Sequence, residues 1–156
     1  MSKLNDILNE YKTRLLQLTA QPTDLTGRVV IAYNSKDLLD TIKTAKNFPI
    51  IGIVYEGMRS TTPNEPKGLT CEVVVSFVLM DQGPAIVASD NKRVRDIDYL
   101  EAMRGKFLGH RSAVTGHMWG FMVESPIELI AGMVCWTQRW SLTAAFKPNP
   151  TNVTGP

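Results

Sequence analysis

The chain has 156 residues, 44% of them hydrophobic and 21% charged, which is enough apolar material for one self-sufficient core. Seventeen Lys and Arg against fifteen Asp and Glu leave a formal net charge of +2. That balance excludes a protein that wraps nucleic acid by bulk charge, so any basic patch must be local.

The N-terminal run MSKLNDILNEYKTRLL carries charges every few positions. It has no signal-peptide stretch, and nowhere do about 18 apolar residues run together. A cytoplasmic protein with no membrane attachment is expected. From residue 2 to about 20, Leu4, Ile7, Leu8, Tyr11, Leu15 and Leu18 recur at the spacing that lines one helix face. Ser2 is placed to cap its start, and Pro22 lies just past its end. The short β-branched run RVVIAY, 28–33, lies between Gly27 and Asn34 and predicts a strand. Asn34 or Ser35 then caps a second helix with Leu38, Leu39, Ile42 and Ala45 along one side. Pro49 stops it by driving the residues before it toward extended geometry, and a strand follows over 50–56.

After Gly57 the stretch MRSTTPNEPKG holds two prolines, Asn64 and Gly68, and predicts a long exposed loop over 57–68. In LTCEVVVSFVLM every odd position, Leu69, Cys71, Val73, Val75, Phe77 and Leu79, is apolar, so one face of this strand belongs to the core. A third helix is expected over 91–108, with Val94, Ile97, Leu100, Met103, Phe107 and Leu108 inward and Gly109 ending it. Residues 118–124, where Trp119, Phe121 and Val123 alternate with others, should form a strand paired antiparallel with the long run after Ile127, Ser125 and Pro126 marking the bend between them.

That long run contains MVCWTQRWSLTAAF, in which Val134, Trp136, Trp140, Leu142, Ala144 and Phe146 are apolar at even positions and Gln138 is the exception. Both tryptophans therefore face the core and Arg139 faces the other way. The closing KPNPTNVTGP has three prolines and a single valine, too little apolar surface to offset the entropy of ordering it. The expectation is an α+β fold: a mixed, mostly antiparallel sheet of about five strands packed against helices on one face. It forms a single domain over 1–146 with a flexible arm over 147–156.

The chemical inventory is short. Cys71 and Cys135 sit in apolar runs without a CxxC pair, as buried reduced thiols do. His110 and His117 are seven apart, with no acids at ligand spacing. Glu124 and Glu128 bracket the expected bend, where carboxylates stay in water. No GxSxG elbow, P-loop, HExxH or strand-linked GxGxxG is present, so neither an enzyme nor a cofactor or metal protein is expected. Lys92, Arg93 and Arg95, followed by Arg104, Lys106, His110 and Arg111, form a strip able to neutralise phosphates. Asp90, Asp96, Asp98 and Glu101 are interspersed among them, the pattern of a mixed solvated helix face.

The order of elements carries a resemblance. An N-terminal helix, a helix leading through NFPIIGIVYEG into a strand and loop, the strand EVVVSFVLM, the helix DYLEAMRGKFLG and a final hairpin ending WTQRWSLTAAF together resemble the tail terminator (tail completion) proteins of long-tailed bacteriophages. The resemblance implies a ring, usually of six copies, that caps the finished tail tube, stops tube polymerisation and docks to the head connector. Its partners would be other copies of itself, the tail tube protein and the head connector or neck protein, with DNA passing through the bore. Its location would be the host cytoplasm during assembly and then the virion neck. On this basis Met58, Arg59, Asn64, Glu65 and Lys67 of the loop, Arg139 of the polar strand face and Lys147 at the start of the arm are the candidate subunit and partner contacts. Lys92, Arg93 and Arg95 are the candidate bore lining. A head-closure or neck connector, a small nucleic-acid-binding module and an enzyme subunit with a partner-supplied site are the competing readings.

Overall fold

The computed structural model describes residues 2–18, 27–61, 68–82, 90–128 and 133–147; for 82, 90–95 and 134 it describes the backbone alone. Helix α1 spans Lys3–Leu15 and opens where the Ser2 hydroxyl accepts the Asn5 N–H at 3.2 Å. Such a cap satisfies one of the donors a helix start leaves orphaned. Its buried stripe is Ile7, Leu8, Tyr11 and Leu15. The helix ends before the expected residue 20, yet Leu18 stays buried beyond it.

Strand β1, Val29–Ala32, leads into α2, Ser35–Thr44, whose N-cap is Asn34, its side chain accepting the Asp37 N–H at 2.9 Å. Next come β2, Ile50–Ser60, β3, Leu69–Gln82, α3, Asp90–Phe107, β4, Trp119–Ile127, and β5, Met133–Phe146. The sheet order is β1-β2-β3-β5-β4. β1 and β2 are parallel, as strands joined through a crossover helix can be, and every other neighbouring pair is antiparallel. β3 and β5 pair along their whole lengths, from Leu69 opposite Phe146 to Gln82 opposite Met133. The class is the expected one: α+β, with a five-stranded, mostly antiparallel mixed sheet.

Strand alternation divides the core. Ile51, Ile53, Val73, Val75, Phe77, Leu79, Trp140 and Leu142 face α1 and α3 and pack with their buried stripes. On this side Tyr11, Phe77, Phe107, Trp119 and Trp140 stack with ring centroids such as 5.3 Å for Tyr11–Phe77 and 5.1 Å for Phe107–Trp119. Aromatic contacts of this kind add about 0.5–1.5 kcal/mol each beyond the area they bury. Burial, and after it the charge of Glu10, pushes the Tyr11 pKa well up, so its hydroxyl stays protonated. The expectation of helices on one face holds for α1 and α3. α2 lies on the opposite face, over Ile50, Val54, Val78 and Met80, through Leu38 and Ile42. Gly52 makes this seat possible: a Cβ there would stand 2.4 Å from Leu38 Cδ1.

Other expectations shift as well. β2 does not end at residue 56. A bulge between Tyr55 and Gly57 advances the register by one, and pairing continues from Gly57 opposite Val74 to Ser60 opposite Cys71. Met58 and Arg59 are therefore strand residues, not loop residues; of the expected loop, 62–67 lies outside the described residues. Second, β4 runs straight through Ser125 and Pro126 to Ile127, so the antiparallel pairing with β5 forms as expected while these two residues are strand and not bend; residues 129–132 lie outside the described residues. Third, the buried stripe of α3 is Asp96, Tyr99, Leu100, Met103 and Phe107. Ile97 and Leu108, expected inward, are 52% and 48% exposed, because each falls one residue off that stripe. Gly109, at φ 76, follows the helix as expected. Both cysteines are buried. Among the described residues no helix is long and apolar enough to cross a membrane.

Candidate assembly surface

α2 covers only part of its face of the sheet. Past it, the side chains of β2, β3 and β5 that point away from α1 and α3 are mostly polar, Val74 and Ala145 being exceptions, because the strands alternate. Arg139 Nε reaches Glu56 Oε2 at 2.9 Å, and Arg59 NH2 reaches Glu72 Oε2 at 2.7 Å with its Nε donating to the same oxygen at 2.9 Å. The Arg59 hydrogen bond holds the Glu72 carboxyl below the usual carboxylate range. Such exposed pairs contribute at most about 1 kcal/mol each to stability; their effect is to leave a face whose charges are already partnered. A groove of about 200 Å³ opens beside the start of α2, between Leu38, Val54, Ser76, Thr137 and the Glu56–Arg139 pair.

The outer strand of the other flank is different. β4 pairs only with β5, and a bulge between Phe121 and Val123 turns its side chains. Phe121, opposite Trp140, lies on the α3 side and packs edge-on against Trp140 with centroids 5.2 Å apart. Val123, opposite Arg139, lies on the polar side. Phe121, Met122, Val123 and the preceding Met118 are 40%, 45%, 42% and 49% exposed. This apolar rim was not legible from the strict alternation of Trp119, Phe121 and Val123, since the bulge breaks it. The three consecutive apolar residues of FMV were the available signal.

Behind the rim is a polar knot. Gln138, the exception on the apolar face, is fully buried; its Nε2 donates to the Leu100 carbonyl at 2.9 Å and to Glu124 Oε1 at 2.7 Å, and its Oε1 accepts from Trp140 Nε1 at 3.3 Å. Arg104 of α3 pairs with the same Glu124 oxygen. Glu124 is thus a clamp between α3 and the hairpin, not a carboxylate left in water. Glu128, just past β4, is exposed. A second clamp binds α1: Arg14 lies 4.5 Å over the Trp119 ring and donates to the Lys106 carbonyl at 2.7 Å.

His110 and His117 are exposed on the connection between α3 and β4, where their carbonyls accept the Trp119 N–H at 3.4 Å and the Ser112 N–H at 2.8 Å. Glu10 anchors this connection to α1, accepting the Ala113 N–H at 2.6 Å. No group of three or more His, Cys, Asp or Glu able to hold a metal occurs among the described residues. Of the residues singled out by sequence, Met58, Arg59 and Arg139 lie on the sheet, with Arg59 and Arg139 on its polar face, and Lys147 is exposed directly after β5. Lys92, Arg93 and Arg95 belong to the first turns of α3, but their side chains lie outside the described residues, as do Asn64, Glu65, Lys67 and the arm from 148 onward. The sequence reading missed Glu56, Glu72 and the rim of Phe121, Met122 and Val123. Compared with models of known protein families and with curated proteins, the chain finds no match in either.

Proposed function

We propose that this chain is a structural subunit that assembles into a ring on the end of a bacteriophage tail tube, ends tube growth and offers the surface that joins the head connector. The observation that carries the reading is the rim of β4: four large apolar side chains, each between 40% and 49% exposed, gathered on one margin of the described domain. Contiguous exposed apolar surface of this kind on a well-packed domain marks a contact with another protein. The element order on which the likeness to tail terminator proteins rests, helix, helix into strand, long strand, helix and tryptophan-bearing hairpin, is also the order of α1, α2–β2, β3, α3 and β4–β5.

The polar face supplies a second element of the reading. Its arginines are held by Glu56 and Glu72 among the hydroxyls of Ser76, Thr137 and Ser141. A bore lined this way would let DNA slide, because phosphates find polar atoms there without unpartnered cations to grip them. Light scattering behind size-exclusion chromatography, on the chain alone and mixed with purified tail tubes, tests the proposal. The expected result is a ring-sized species or association with tube ends; a chain that stays monomeric and ignores the tubes would sink it.

A further inference from the structure

The sheet order makes β1 and β4 its two outer strands, four strand spacings or about 19 Å apart. On the β4 margin, Phe121 and Val123 lie on either side of the strand with Met122 at the bulge between them. α3 extends this margin. Ile97, Glu101, Arg104 and Leu108 share one side of the helix, and the Arg104–Glu124 pair turns that side toward β4. Six apolar side chains about half exposed amount to roughly 400–500 Å², within the range of about 300–600 Å² where a monomer's largest patch is often functional. On the β1 margin the most exposed large apolar side chain of the described residues, Tyr33 at 62%, stands where β1 ends and α2 begins.

The two margins are opposite in charge. Residues 28–46, which include β1 and α2, carry Arg28, Lys36, Lys43 and Lys46 against Asp37 and Asp40, four cations to two carboxylates, a net +2. Residues 118–128, which include β4, carry Glu124 and Glu128; with Glu101 and Arg104 of α3, the latter paired with Glu124, and Arg111, bridged to Met118, this margin has three carboxylates to two cations, a net −1. Pairing two β4 margins would set like charges together, whereas β1 against β4 sets opposite ones together. Nor does β4 invite strand addition: the Met122 bulge and Pro126, which has no N–H, interrupt its row of donors.

We propose that copies of this chain join head to tail, the Tyr33 margin of one subunit packing by side chains on the Phe121–Met122–Val123 margin of the next, with Lys36 facing the exposed Glu128. The proposal rests on the ring reading and names its contact, since repetition of such a heterologous contact closes a ring when the rotation per step divides a full turn. The test is a chain carrying both Tyr33→Cys and Met122→Cys, oxidised alone and on tail tubes. Cys71 and Cys135, only 1% and 3% exposed, leave little background. A ladder of covalent multimers ending at the ring size is expected, absent from either single variant.

Tyr33→Asp, at an exposed position, should weaken self-association at least tenfold without moving the unfolding midpoint. A species larger than a monomer, free or on tubes, that gives no ladder overturns the margin contact and leaves the ring reading standing. Dimers from Met122→Cys alone, or unchanged association in Tyr33→Asp, also overturn the contact. A chain that remains monomeric and ignores tubes overturns both.

Discussion

Gln138 is the residue where pattern and purpose part. Alternation along β5 shows which way it points, toward the apolar side, and makes it look like a mistake there. Its partners explain it: the Leu100 carbonyl, Glu124 and the Trp140 indole N–H all end on this one amide. Trp140 is two positions along the same face, but Glu124 and Leu100 are 14 and 38 positions away, so periodicity had no means of finding these two. Replacing Gln138 with Leu would fill the space but strand those groups. The expected loss of stability is about 1–3 kcal/mol, the cost of leaving buried polar groups unsatisfied. Urea unfolding followed by tryptophan fluorescence measures it, and a midpoint equal to that of the unaltered chain would show that the knot is idle.

Among the elements, β3 and α1 were legible because their periodicity is long and uninterrupted. Odd positions of β3 and a three-and-four stripe on α1 gave face and extent to within a few residues. β2 and β4 were only half legible, since each contains a bulge, and one inserted residue flips every side chain beyond it. That is why Arg59 looked like loop and why the Glu56–Arg139 pair, which needs the β2 bulge, escaped notice although the outward direction of Arg139 did not. The same holds for the rim of β4. α3 misled by a subtler route: Ile97 and Leu108 lie close to the true stripe, while Tyr99, one of its two aromatic members, was overlooked.

Gly57 tests the importance of the β2 bulge. Its φ is +110° and a Cβ there would meet nothing within 4 Å, so Gly57→Ala carries conformational strain with no steric clash. A loss of about 1–3 kcal/mol is expected; chemical unfolding checks it, and an unchanged midpoint would mean that β2 relaxes into another register at no cost.

The molecule as a whole combines near-neutral net charge with margins of opposite sign. Association through those margins should therefore weaken as salt rises, since at about 1 M ionic strength the screening length is only about 3 Å against about 10 Å at 0.1 M. Light scattering at fixed protein concentration, from about 0.1 M to 1 M sodium chloride, should show the oligomer fraction falling several-fold. A fraction that rises with salt would mean that the apolar rim acts without help from charge.

Pro126 and the bulge at Met122 give the outer rail of the sheet a further property. Subunits that meet there cannot zip backbone to backbone into an endless ribbon, so crowding at high concentration should yield countable closed particles rather than fibres.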